Sequence, residues 1–202
     1  PRQKLARFIR GNIFLPDARK SWNRYACKAS REIILREGIT TVVTTSPPHS
    51  TQLIGLKLKK ELKINWLADF RDPWTDIYYY NKFYPTVLAR AIDSKWEREV
   101  LEGADKIVTV SKDLCRLFLA KSEELSIKKF EIVPNGFDPD DFEGISAEEG
   151  QNYFEILYSG TLTDQYPLRP FLEAIQNSRW ADKLLIHFVG RRDENSEQLL
   201  TE

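Results

Sequence analysis

The sequence predicts an α/β fold built on a parallel sheet. Three observations carry that expectation. Short β-branched or apolar runs alternate with longer stretches of helical periodicity. The first run, ITTVVTT at 39–45, is β-branched throughout, as strands buried on both faces of a parallel sheet are. Proline and turn residues then close the runs, Ser46-Pro47-Pro48 after the first and Pro134-Asn135-Gly136 after the fourth.

The elements follow in order. Residues 18–37 read as a helix with Asp17 as N-cap. Trp22, Tyr25, Ala26, Ala29, Ile33 and Ile34 fall at helical spacing, and Gly38 is the stop. After the strand at 39–45, Ile54, Leu58 and Leu62 recur four apart in a helix over 50–62, with lysines between them. INWLADF at 64–70 is a second strand, RDPWTD a loop, and an aromatic stretch from Tyr78 to Tyr84 leads into a helix over 85–102. DKIVTV at 105–110 is a third strand, and Ser111 caps a helix that runs to about residue 122. Residues 129–134 form a fourth strand. Residues 137–152 are acidic, with Gly and Pro and little apolar periodicity, and read as a linker. Beyond it come a strand at 153–159, a helix at 168–177 and a strand at 183–189. His187 is read there as a core histidine, and Gly190 opens a last polar segment. The linker thus separates a first unit, residues 1–136, from a second with room for only two strands. With no methionine anywhere in its 202 residues, the chain is expected to be an excised piece of a longer one.

Composition excludes several classes of function. Two distant cysteines, Cys27 and Cys115, make neither a disulfide framework nor a CxxC zinc site. Two histidines, His49 and His187, rule out HExxH chemistry, and GxGxxG, GxxxxGK[ST] and GxSxG are all missing. No run approaches a membrane span. No nucleic-acid module is recognisable, and a pI near 7.2 gives such a partner no support. The net charge is zero but divided: residues 1–68 hold 14 Lys and Arg against 4 Asp and Glu, residues 69–202 hold 16 against 26. Such a basic front is either a solvated face or a surface for phosphate, acidic glycan or anionic membrane.

In open α/β sheets, ligands bind beyond the carboxyl ends of the strands. That rule selects Ser46, His49 and Ser50 after the first strand, and Asp69, Arg71, Asp72 and Trp74 after the second. It adds Ser111 after the third, Asn135 and Gly136 after the fourth, and then Gly160, Thr161, Gly190 and Arg191. Acids, a histidine, arginines, hydroxyls and glycines together suit a ligand that carries hydroxyls and phosphate. Each also has a plainer reading. Ser46 to Thr51 can be only a cap and turn, although a helix N-terminus with exposed amides also binds anions. Asp69-Phe70-Arg71-Asp72 can be an ion pair that pins its loop, and Asn135-Gly136 is first a turn signal. Asp138-Pro139-Asp140-Asp141 contains a DxD pattern, which an acid-rich linker produces by composition. It is not assigned to a metal.

Several of these stretches together resemble a known family. GNIFLPDAR, SPPHSTQLIGLKLKK, WLADFRDPWTDIYYY, ADKIVTVS, VPNGFD, ILYSGTL and HFVG are similar to a bacterial glycosyltransferase of the GT-B fold, family 4, of the polysaccharide and O-antigen type. The resemblance covers nearly the whole chain. It implies two Rossmann-like domains: an acceptor-side domain over 1–136 that lacks its opening strand and glycine-rich loop, a linker over 137–152, and the start of a donor-binding domain over 153–202. By resemblance, His49 and Asp69 are catalytic; Ser46, Ser50, Arg71, Asp72 and Trp74 bind the acceptor; Asn135, Gly136, Gly160, Thr161, Gly190 and Arg191 bind the donor. The basic residue the family carries after Gly160 is Thr161 here, and the one a few positions on is replaced by Gln165-Tyr166-Pro167. The group that neutralises the donor diphosphate is therefore left open.

The activity implied is sugar transfer, with retention, from a nucleotide sugar to a glycan or lipid-linked acceptor in cell-surface polysaccharide synthesis. No metal and no resident cofactor are implied, because helix N-termini and basic side chains hold the diphosphate. The implied location is cytoplasmic and peripheral to the inner membrane. Arg2, Lys4, Arg7 and Arg10, beside Leu5, Phe8 and Ile9, would lie on the anionic surface. The fragment alone is expected to be inactive. Two other readings stand beside this one: a nucleotide-sugar epimerase of the same fold, and a non-enzymatic module that binds a glycan or membrane through its basic face.

Overall fold

A computed structural model describes residues 2–144, 153–163, 166 and 168–201. Residues 145–152 of the expected linker, and Gln165 and Pro167, lie outside the described residues. The chain divides into two compact units, Pro1–Phe137 and Asp138–Glu202.

The first unit is an α/β domain of Rossmann-like type. Helices α1 (Arg2–Ile13) and α2 (Asn23–Glu37) precede strand β1 (Thr41–Ser46). Then come α3 (Ser50–Leu62), β2 (Asn65–Phe70), α4 (Val87–Gly103), β3 (Lys106–Thr109), α5 (Lys112–Leu119) and β4 (Phe130–Ile132). The four strands are parallel and lie in the order β1-β2-β3-β4, with Thr45 opposite Asp69 and Asp69 opposite Val108. Right-handed crossovers in that order carry α3, α4 and α5 to one face of the sheet.

The burial pattern agrees. Thr44 and Ser46 are buried on the helix side of β1, whereas Val43 is 61% exposed on the other side. The expectation that the 39–45 run is buried on both faces is therefore corrected. β1 is an edge strand with one open face, and its β-branched residues reflect strand propensity alone.

The core lies between sheet and helices. Trp66, Ala68 and Phe70 of β2 pack with Val100 and Leu101 of α4, Ile107 of β3, and Cys115 and Phe118 of α5. A second cluster joins Ala26, Cys27 and Ile34 of α2 to Ile54 and Leu58 of α3. Both cysteines are unbridged and buried. Helix ends follow local chemistry. Gly38 takes φ +64 at the end of α2, a conformation that costs glycine nothing. Thr86 caps α4 by accepting from the Ala89 N–H, and Ser111 caps α5 by accepting from Leu114.

α1, not anticipated as an element, crosses a 3₁₀ turn at Tyr80–Phe83. A Cβ on Gly11 would lie 2.3 Å from the Phe83 carbonyl oxygen. Asn12 donates to the Tyr84 carbonyl at 3.1 Å and accepts from the Thr86 N–H at 2.7 Å.

In the second unit, β5 (Phe154–Ser159) pairs in parallel with β6 (Leu184–Val189), joined through α6 (Leu168–Gln176) and followed by α7 (Glu194–Thr201). The polar segment after Gly190 contains a helix, α7. His187 is corrected too. Its side chain is 45% exposed and lies 3.6 Å from Glu155, because the alternating exposure of β6 turns it outward.

Candidate functional site

The sheet delivers its polar residues to the carboxyl ends of the strands in two separate groups. In the first, Asp69 at the end of β2 accepts from Thr45 Oγ1 at 2.6 Å and pairs with Arg71 Nε at 3.0 Å. The Arg71 guanidinium continues to the Val133 carbonyl and Asn135 Oδ1, both at 3.1 Å. Three strand ends are thereby tied by one arginine. Asp69 Oδ1 is buried and carries no partner among the described residues. Asp72 is half-buried near Tyr79, whose hydroxyl pKa is raised by burial and then by the Asp72 charge. Gly136 is exposed, and no atom lies within 4 Å of where its Cβ would be.

Beneath these tips runs a fully buried polar chain. Trp66 Nε1 donates to Thr44 Oγ1 at 2.8 Å, and Thr44 donates to Gln52 Oε1 at 2.5 Å. Gln52 Nε2 donates to Ser46 Oγ at 2.9 Å and to the Asp69 carbonyl at 2.8 Å. Ser46, 1% exposed, therefore positions the β1 and β2 ends rather than presenting a hydroxyl to solvent. Ser50 is equally buried. Its N–H and Oγ–H both donate to the Asp17 carboxylate, at 2.8 and 2.9 Å. Asp17 thus occupies the amino end of α3, the place where a phosphate could otherwise bind. Asp17 was expected to cap the helix that follows it. It does accept from the Arg19 N–H at 2.9 Å, yet its main work is across 33 residues. Asp17→Ala should lower unfolding free energy by about 1–2 kcal/mol in urea melts, the loss typical of a removed cap.

The second group surrounds His49. Successive cis peptides at Ser46–Pro47 and Pro47–Pro48 carry the chain from β1 into α3, with His49 at the joint. Its imidazole is 92% buried and stacks on Trp74, with ring centroids 5.2 Å apart and planes 9° off parallel. Neither ring nitrogen has a hydrogen-bond partner among the described residues. Burial drives its pKa down to about 4, against the opposing pull of the Asp17 charge and the nearby Pro73 carbonyl. The ring is therefore neutral at pH 7.

His49 and Trp74 line a cavity of about 380 Å³, within the ~300–1,000 Å³ range of small-molecule sites. Tyr79, Tyr80, Asp93 and Arg10 also line it, but Asp69 and Arg71 do not. The expected catalytic pair is thus distributed over two neighbouring features: Asp69 joins the arginine-tied strand ends, and His49 faces the cavity.

Asp93 is a residue that sequence reasoning missed. It is 1% exposed, accepts from the Tyr80 hydroxyl at 2.9 Å and from Trp74 Nε1 at 3.4 Å, and has its pKa raised by burial. One turn on, Glu97 is fully buried, accepts from Thr75 and lies 3.3 Å from Lys121 Nζ. These two carboxylates clamp the 71–80 loop onto α4. A signal was present: Asp93 and Glu97 fall at i and i+4 on the same stripe as Ala89, Val100 and Leu101.

In the second unit, Gly160 and Thr161 after β5 meet Gly190 and Arg191 after β6. Gly160 N–H donates to the Val189 carbonyl at 2.9 Å, and Leu162 N–H donates to the Arg191 carbonyl at 2.8 Å. A Cβ on Gly190, whose φ is +137, would sit 1.9 Å from the Gly160 carbonyl oxygen. This approach requires glycine. The Asp138-Pro139-Asp140-Asp141 stretch is a 3₁₀ turn in which Asp138 accepts from the Asp140 N–H at 3.1 Å. No cluster of three or more metal-ligating residues occurs among the described residues.

No protein-family model matches the chain, and no curated protein matches it.

Proposed function

We propose that this chain contains the acceptor-side domain, and the beginning of the donor-side domain, of a GT-B glycosyltransferase that moves a sugar from a nucleotide sugar to a glycan or lipid-linked acceptor. The observation that carries this reading is the buried, neutral His49 lining a cavity at the carboxyl end of a parallel sheet. A hydroxyl is the group that satisfies such an imidazole, since it donates to one nitrogen or accepts from the other. Tyr79 and Tyr80, both partly exposed, supply aromatic walls for a sugar ring.

In this reading His49 accepts the hydrogen bond of the attacking hydroxyl and orients it. With a pKa near 4 the ring is a weak base, and it takes the proton only as negative charge develops beside it. Asp69, held by Thr45 and Arg71, places a carboxylate at the β2 end, where its charge favours an oxocarbenium-like transition state. In the second unit, Gly160 and Gly190 stand at the carboxyl ends of β5 and β6, the end of a parallel sheet at which such ligands bind. The sugar nucleotide is substrate, and the proposal includes no metal or resident cofactor.

The decisive experiment offers a panel of nucleotide sugars to the full-length protein and follows nucleoside diphosphate release and the fate of the sugar. Transfer or hydrolysis supports the reading. A changed sugar still attached to its nucleotide would identify an epimerase, and binding without turnover would leave a binding module.

Among the described residues, no helix is long and apolar enough to cross a membrane. α1 nonetheless supports the peripheral location in this proposal. It carries Arg2, Lys4, Arg7 and Arg10, no acid, and exposed Leu5, Phe8, Ile9 and Ile13. Each basic residue near an anionic surface contributes about 1 kcal/mol. Vesicle sedimentation should show preference for anionic over neutral lipid, and replacing Lys4 and Arg7 by Ala should weaken it about tenfold or more. Equal partitioning into both vesicle types would count against it.

A further inference from the structure

The cavity carries more information than the hydroxyl preference of His49. Four charged residues line it: Asp17, Asp93, Arg10 and Arg19. The two carboxylates are engaged by the protein itself. Asp17 receives Ser50 and Arg19 N–H, and Asp93 receives Tyr80 and Trp74. The two arginines are different. Both are exposed, and among the described residues no carboxylate pairs with either guanidinium. The Arg10 guanidinium carbon lies 4.5 Å from the centre of the Phe83 ring, a cation–π contact that holds the group at the cavity. Its charge also reaches the Tyr79 hydroxyl, which places it beside the cavity wall. The four charges sum to zero, but the two arginines are exposed and bring guanidinium N–H donors that no described carboxylate takes, while His49, neutral and buried, lines the same cavity.

We propose that this cavity takes an acidic sugar: a hydroxylated ring whose hydroxyls meet His49, whose apolar face lies on the aromatic walls, and whose carboxylate or phosphate is held by Arg10 and Arg19. The proposal deepens the sugar-transfer reading and rests on it for the identification of the ring as a saccharide. The shared chemistry is a hydroxylated ring with one anionic group. A guanidinium matches either a carboxylate or a phosphate through two parallel N–H donors. The basic residues of the first 68 positions strengthen the preference by drawing anions toward this unit.

The test titrates the full chain, at constant ionic strength, with glucuronate, glucose 1-phosphate, glucose and inorganic phosphate, followed by ligand-observed NMR and Trp fluorescence. The expected result is a dissociation constant at least tenfold lower for glucuronate, glucose 1-phosphate or both than for glucose. Which acid wins identifies the anionic group. Arg10→Ala and Arg19→Ala should each reduce that ratio several-fold without changing glucose binding. His49→Gln should weaken every sugar by a similar factor and leave inorganic phosphate unaffected.

Glucose binding as tightly as the acidic sugars, or a ratio untouched by both arginine variants, overturns the proposal. So does inorganic phosphate matching glucose 1-phosphate, which would reduce the cavity to a simple anion site. Acidic sugars bound with the expected preference by a protein that turns over no nucleotide sugar would sink the transfer reading and leave this one standing. Transfer to a neutral acceptor, undiminished in Arg10→Ala and Arg19→Ala, would do the reverse.

Discussion

Under the proposed sugar transfer, replacing His49 with glutamine is expected to lower kcat/KM by about 10²–10³-fold, within the range that proton-handling groups contribute. The amide keeps polarity but cannot accept a proton, so kcat should fall in addition to the weaker sugar binding. The same variant should change the response of stability to acid. In the folded protein the imidazole titrates near 4, against 6.5 when it is exposed. Between those two values the unfolded chain binds the extra proton and the folded chain does not. The contribution of His49 is therefore fully present above pH 6.5 and lost as pH falls toward 4. The loss amounts to about 3 kcal/mol at 1.36 kcal/mol per pKa unit.

Asp93 and Glu97 act with the opposite sign. Burial raises their pKa values, so protonation stabilises them in place and partly masks the loss. Urea melts of the wild type and of His49→Gln across pH 4–7 separate the contributions, because only the wild type carries the histidine limb. Parallel pH curves for the two proteins would mean that the imidazole is solvated and that the cavity argument fails.

Much of the framework was legible in the chain because local chemistry and tertiary role coincide there. The β-branched and apolar runs became strands. Gly38 and Ser111 ended and began helices where their conformational and hydrogen-bonding preferences place them. The strand-end rule brought Asp69, Arg71 and Asn135 into one hydrogen-bonded group from 66 residues of sequence.

What stayed hidden depends on long-range packing. The exposed face of Val43 follows from α3, α4 and α5 lying on the other face of the sheet, which no property of the run itself encodes. The cavity wall is assembled from the 10–19 segment, the 47–49 joint, the 74–85 loop and Asp93 of α4, so no single motif announces it. Asp17 shows the limit most directly. Its residue type signals a cap, but which helix it caps is settled only when α3 is laid beside it.

A single methyl group on α3 should have the largest effect on stability. Gly55 faces Trp66 of β2 so closely that an added Cβ would lie 2.2 Å from Trp66 Nε1 and 2.3 Å from Cε2. No carbon tolerates that distance, and the indole has nowhere to go. It is 0% exposed and packed among Leu56, Val100, Leu101 and Ile107. Gly55→Ala must therefore push α3 away from the sheet or rotate Trp66. Either movement breaks the Trp66 Nε1 to Thr44 hydrogen bond and disturbs the chain through Gln52 to Ser46 and the Asp69 carbonyl.

Overpacking alone costs about 1–3 kcal/mol, and leaving buried polar groups unpaired adds about 1–3 kcal/mol more. A loss of at least about 3 kcal/mol in urea melts is expected for Gly55→Ala. Because α3 also carries His49 and Ser50 at its amino end, ligand binding at the cavity should weaken in the same variant even at temperatures where it remains folded. Gly38→Ala isolates backbone effects from packing. Nothing lies within 4 Å of its missing Cβ, so that change should cost only the strain of φ +64, about 1 kcal/mol, and leave the cavity intact. Equal destabilisation by the two alanines would show that the Trp66 contact does not hold α3 in place.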